Sequence, residues 1–161
     1  MLRWFLWLSM ILGIAACAPA APPTPQPLAA QDFALMALDG STVRLSDLRG
    51  RWVMINFWAT DCDSCRIELA DLQRIAALFA DRLTMLGVNV GSSDADVRAF
   101  AADMGLQIPV LLNPDQPTLD AYYVTALPVT VIIAPDGNLV YRQFGPVDME
   151  FESELAALLG A

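Results

Sequence analysis

Two cysteines three positions apart, Cys62 and Cys65, are the residues of this sequence best placed to do chemistry. A pair at this spacing can close a disulfide within one helical turn, and it exchanges electrons when one thiol is held as the thiolate. The setting matters more than the spacing. Cys62 follows an apolar run from Trp52 to Trp58 and precedes a stretch of helical spacing from Ser64 to Ala80. A helix start brings unpaired N–H groups and the positive end of the helix dipole to Cys62, and both favour a thiolate. Asp61 and Asp63 flank it with two carboxylates. Their field opposes the dipole and raises the thiol's proton affinity. Destabilising the thiolate makes a dithiol a stronger reductant, so the pair is expected to reduce rather than oxidise. Asp61 also suits a helix cap.

Other chemistries are closed to this chain. Its 161 residues include nine Arg, no Lys and no His. That excludes a Ser-His-Asp triad, a Cys-His dyad, a phosphate-loop lysine and a Schiff base. A lone Cys pair is half a metal site, and no His or second Cys pair completes it. A purely structural disulfide across so small a loop would constrain the unfolded chain little. No metal or organic cofactor is called for, and the redox group is the cysteine pair itself. A formal charge of −9 repels phosphate backbones, so nucleic acid is not an expected partner.

Glu68 is a second candidate. Glu68, Leu72, Ile75 and Phe79 are spaced i, i+4, i+7 and i+11, so Glu68 shares the apolar stripe of the helix. It also lies three residues beyond Cys65. A half-buried carboxyl there has a raised pKa and can pass a proton to or from Cys65.

The elements that must position these groups follow from hydrophobic patterning. Residues 1–16 read as a signal peptide: Arg3, then an apolar run too short to span a bilayer of about 20 residues' depth. Ile14-Ala15-Ala16-Cys17 resembles the lipobox of bacterial lipoproteins, which makes Cys17 the expected lipid-bearing N-terminus. Cleavage after Ala18 is the alternative. Residues 17–31 form a Pro/Ala-rich linker that reaches roughly 40 Å if extended. An acidic protein gains nothing from an anionic surface, so anchoring would need more than one acyl chain.

A single domain is expected over 32–161. Phe33 to Leu38 and Thr42 to Leu45 flank a hairpin turn at Asp39-Gly40. Trp52 to Trp58 and Leu83 to Val90 are buried strands. Asp94 to Met104 is a helix ended by Gly105. Pro109 to Leu112 is a short strand, and Thr118 to Tyr123 a short helix. Val129 to Ala134 and Leu139 to Phe144 are strands around a turn, and Asp148 to Leu159 is a final helix. Strands alternating with helices, then a hairpin and a helix, predict an α/β fold with a mixed sheet.

The run Asn56-Phe57-Trp58-Ala59-Thr60-Asp61-Cys62-Asp63-Ser64-Cys65-Arg66-Ile67-Glu68 resembles the active-site segment of the TlpA/ResA-type membrane-anchored thioredoxin-like proteins. The resemblance continues through Gly87-Val88-Asn89-Val90-Gly91, Leu119-Asp120-Ala121-Tyr122, Leu127-Pro128-Val129-Thr130 and Pro135-Asp136-Gly137, and covers roughly residues 32 to 160. It implies a thioredoxin fold with an N-terminal hairpin and an inserted α/β element. It also implies extracytoplasmic thiol–disulfide exchange, often reduction of apocytochrome c cysteines, with electrons from a membrane-spanning thiol donor. By the same resemblance Cys62 is the nucleophile, Cys65 the resolving thiol and Glu68 the nearby acid. Pro128, after Leu127, matches the family's cis-proline. Asn56 stands where cytoplasmic thioredoxins keep a buried Asp, and Trp58 is expected to pack beneath the site. Two positions depart from the family: Asp61 replaces the usual Trp, and Ser64 the usual Pro. Losing the Trp makes a polar or basic partner surface the expectation.

Two other functions compete. A peroxiredoxin-like peroxidase shares the strand-to-helix Cys, but its threonine sits three residues before that Cys, whereas Thr60 sits two before. A non-enzymatic copper carrier of this fold uses a wider Cys spacing and a His, which this chain lacks.

Overall fold

The computed structural model describes residues 28–160. The expected signal peptide, Cys17 and most of the linker lie outside the described residues. In order, the elements are β1 (Leu28–Ala29), β2 (Ala34–Met36), β3 (Thr42–Arg44), β4 (Trp52–Trp58), α1 (Asp63–Leu78), β5 (Leu83–Asn89), α2 (Asp94–Met104), β6 (Val110–Leu111), α3 (Gln116–Ala121), β7 (Val129–Ile133), β8 (Asn138–Phe144) and α4 (Phe151–Leu159). The sheet runs β1-β8-β7-β4-β5-β6, with β4, β5 and β6 parallel and the remaining neighbours antiparallel. This is the expected mixed α/β architecture. The hairpin β2–β3 stands apart as a two-stranded sheet, and α2 with β6 is the inserted unit.

β4 lies at the centre, and its apolar run is explained by burial on both faces. Met54 and Trp58 face a core built by Leu69, Leu72 and Ile75 of α1, Phe100 of α2, and Phe151 and Leu155 of α4. Val53, Ile55 and Phe57 face a second core closed by the hairpin, Leu119 and Tyr122. Gly87 of β5 leaves room for the Trp58 indole: a Cβ there would sit 3.1 Å from Trp58 Nε1.

The folded unit begins earlier than expected. Leu28 and Ala29 pair with Leu139 and Asn138 of β8, and the Tyr122 hydroxyl donates to the Gln31 carbonyl at 2.6 Å. The Pro-rich composition hid this strand, and the folded domain includes Leu28 and Ala29 ahead of the expected start at Asp32. Two helix starts also move. Asp115 caps α3 by accepting from the Thr118 N–H at 3.0 Å, and Pro117 sits in the first turn, where its missing N–H costs nothing. Asp148 closes a turn by accepting from the Glu150 N–H, so α4 starts at Phe151. Of the two adjacent tyrosines after α3, Tyr122 is buried and Tyr123 exposed.

Tyr122→Phe deletes the bond that ties the N-terminal segment to the domain while keeping the ring. We expect a loss of about 1 kcal/mol in urea unfolding and faster amide exchange at Ala30. Unchanged exchange would show that β1 is held by other contacts.

Candidate active site

β4 ends at Trp58 and α1 begins at Asp63, so the intervening loop is delivered to the edge of the sheet. The Val90 N–H donates to the Trp58 carbonyl at 2.8 Å. The Thr60 N–H and hydroxyl are each 3.1 Å from Ser92 Oγ, and the Ser92 N–H donates to Asn89 Oδ1 at 3.2 Å. Cys62 is the cap of α1. Its Sγ accepts from the Cys65 N–H at 3.2 Å, so the cap is the cysteine itself and not Asp61. The same interaction would stabilise a thiolate on Cys62 once the pair is reduced.

Cys62 and Cys65 are joined by a disulfide, with Cα atoms 5.3 Å apart. The two sulfurs are not equivalent. Cys62 is partly exposed, and Cys65 is fully buried. Asp61 and Asp63 are exposed on either side of Cys62, and Ser64 Oγ lies 3.5 Å from its sulfur. The nearest cation along the helix, Arg66, is turned away. It bonds Asp103 of α2 at 2.7 Å and lies over the Phe100 ring. Among the described residues no guanidinium forms a salt bridge with Asp61 or Asp63.

Behind the pair lies a buried polar network. Glu68 is only 3% exposed. Its Oε1 accepts from the Val147 N–H at 3.0 Å and the Thr130 hydroxyl at 3.2 Å, and its Oε2 from Asn56 Nδ2 at 2.8 Å. Burial pushes the Glu68 pKa up, and the three donors offset part of the rise. Asn56 and Thr130 face each other across the β4–β7 register, which is why one helix residue reaches both. Glu68 also helps raise the Tyr141 pKa, behind desolvation and the charges of Glu154 and Asp148.

Pro128 is buried, its bond to Leu127 is cis, and its carbonyl accepts from the Gly145 N–H at 2.9 Å. Leu127 packs against both cores, including the one that Cys62 borders. Trp58 is buried, stacks on Phe100 with ring centroids 4.6 Å apart, and has an unpartnered Nε1. The structure thus gathers Asn56 and Glu68 into one network beside the cysteine helix. Sequence reasoning missed Thr130, Val147, Asn89 and Ser92. Thr130 was detectable as the polar member of an otherwise apolar strand. Val147 acts through its backbone, which no side-chain pattern reveals.

The model of the AhpC/TSA family matches residues 28–142. The chain belongs to that family. It is similar to the thiol-disulfide oxidoreductase ResA of Bacillus subtilis, 38% identical over 112 residues that cover 69% of this chain and 63% of the relative. It is also similar to the thioredoxin-like protein YneN of the same organism, 37% identical over 111 residues that cover 67% of this chain and 65% of that one. The chain thus spans less than two thirds of the length of these relatives. A thioredoxin-family thiol:disulfide interchange protein from Chlorobium tepidum matches in structure with a TM-score of 0.76 and 25% identity, covering 86% of this chain and all of that one. The fold of this AhpC/TSA member is thioredoxin-like.

The buried carboxyl has a thermodynamic signature. A folded-state pKa above the ordinary 4.5 means that the native protein holds a proton the unfolded chain has lost. Stability therefore falls as pH rises from about 4.5 through the raised value, and levels off above it. Glu68→Gln removes that term. We expect the stability of the parent, relative to Glu68→Gln, to decline over this window in denaturant unfolding. Parallel curves would mean that Glu68 titrates normally.

Proposed function

We propose that this protein is a thiol–disulfide oxidoreductase that reduces disulfides of exported proteins through Cys62 and Cys65. The observation that carries the reading is the asymmetry of the pair: an accessible sulfur at the start of α1 bonded to a fully buried one. In the reduced protein the Cys62 thiolate attacks one sulfur of a substrate disulfide. The substrate S–S bond breaks, a mixed disulfide forms, and the departing thiolate takes a proton from water. Cys65 then gives its proton to Glu68 and attacks the Cys62 sulfur. The second substrate thiolate leaves, and the Cys62–Cys65 disulfide carries the two electrons' worth of oxidation. Pro128 and Leu127 border the surface on which the substrate strand lies.

The exposed Asp61 and Asp63 favour the reducing direction, because their charge disfavours the Cys62 thiolate. The resemblance of the active-site segment to TlpA/ResA-type proteins is what suggests apocytochrome c as a partner and a membrane-spanning thiol donor that restores the dithiol. The N-terminal sequence supports an extracytoplasmic site with lipid attachment at Cys17. No helix among the described residues is long and apolar enough to cross a membrane. The peroxidase reading is the weaker one. The Thr60 hydroxyl is engaged with Ser92, and the Cys62 sulfur has Cys65 as its disulfide partner.

Cys65→Ser removes the resolving thiol. We expect this variant to accumulate a mixed disulfide through Cys62 with a disulfide-bonded peptide, and the parent to release two peptide thiols per disulfide formed. Inertness toward the peptide, with peroxide consumption and sulfenate at Cys62, would replace this reading with a peroxidase.

A further inference from the structure

The network around Glu68 matches one charge state. The carboxyl receives three donors: the Val147 N–H, the Thr130 hydroxyl and one Asn56 N–H. The second Asn56 N–H goes to Thr130 Oγ1 at 2.9 Å. Thr130 thus receives from Asn56 and passes its own proton to Glu68. The one atom left over is an acceptor, Asn56 Oδ1, buried without a partner. A carboxylate only accepts, so three donors suit it fully. A carboxylic acid brings a proton of its own. On Oε2 that proton meets an Asn56 N–H, donor against donor. On Oε1 it displaces the Thr130 proton, and the one spare acceptor, Asn56 Oδ1, receives no hydrogen bond as the amide is placed. Neutral Glu68 therefore leaves a buried donor unpaired unless side chains rearrange.

From this count we propose that Thr130 is a positioning residue that, by accepting from Asn56 and donating directly to Glu68, holds Glu68 in the ionised form able to take the Cys65 proton. The proposal rests on the oxidoreductase reading above and adds to it a residue that never touches the cysteines' substrate. Thr130 of β7 lies two residues beyond Pro128, which directly precedes that strand. The titratable and charged groups around Glu68 are few. Cys65 lies one turn away on α1, with Cys62 beyond it. Tyr141 of β8 senses the Glu68 charge, and Asp148 and Glu154 also act on that tyrosine. Asn56 of β4 and Thr130 of β7 do not titrate, so the hydroxyl acts by donating and not by its own charge.

Thr130→Val keeps the shape and β-branching and removes the hydroxyl. We expect the pH midpoint of the resolving step to move up by about one unit, with the rate at high pH retained. The rate would be read as thiol release from a preformed Cys62 mixed disulfide. The Glu68 carboxyl carbon, followed by NMR, should titrate higher by the same amount. Thr130→Ser should restore the parental midpoint, which a merely structural role would not require. Glu68→Gln should abolish the pH step, and the double variant should show no further shift. An unmoved midpoint and carboxyl titration in Thr130→Val, with Glu68→Gln still abolishing the step, would overturn the proposal alone. A parental pH profile in Glu68→Gln would overturn the role given to Glu68, and this proposal with it.

Discussion

Glu68 is held away from water between α1 and the sheet, and the desolvation of its carboxyl group has to be offset by donors that come from separate parts of the chain. One comes from the middle of β4, one from β7, and one from the backbone ahead of α4. Meeting all three at once fixes how α1 lies on the sheet. It also fixes Cys65, because the buried cysteine shares that helix one turn away. The packing of α1 and the chemistry of the cysteine pair are therefore one constraint. A shift of the helix that loosened Glu68 would leave a buried charge uncompensated, a cost larger than that of an ordinary lost hydrogen bond.

The same geometry separates the two cysteines. β4 is buried on both faces, so the chain can leave the sheet only at its end, and the loop there is braced by Ser92 and Asn89. Cys62 emerges at the rim as the helix cap, and Cys65 turns inward. In the proposed exchange, attack from outside falls on the first sulfur, and resolution comes from the second. The surface around the first is acidic, through Asp61 and Asp63, with Arg66 diverted to Asp103. The helix dipole and the Cys65 N–H favour a thiolate there, and the two aspartates oppose it. Because these carboxylates are exposed, salt weakens their share.

Most of this was legible in the sequence because the signals were local. The CxxC spacing, the apolar run of β4 and the stripe carrying Glu68 each report on a few neighbouring residues. The i, i+4 relation placed Glu68 correctly on the buried face. What escaped was non-local. Thr130 matters because β7 pairs with β4 in a register that sets it against Asn56, and one chain position does not reveal that pairing. Val147 contributes a backbone N–H. Leu28 and Ala29 sit in a segment whose prolines argued for a spacer, yet the β8 edge recruits them into the sheet. The starts of α3 and α4 were set by Asp115 and Asp148, whose side chains bond the backbone in ways that composition leaves open.

We expect the carboxylates beside Cys62 to make this pair a reductant. The reduction potential of the Cys62–Cys65 couple, measured on the folded domain against a glutathione or dithiothreitol buffer, tests it directly. A reducing pair should give a value near or below that of thioredoxin, about −270 mV. A value near that of the strong disulfide-forming oxidants, about −120 mV, would contradict it and make the protein a donor of disulfides.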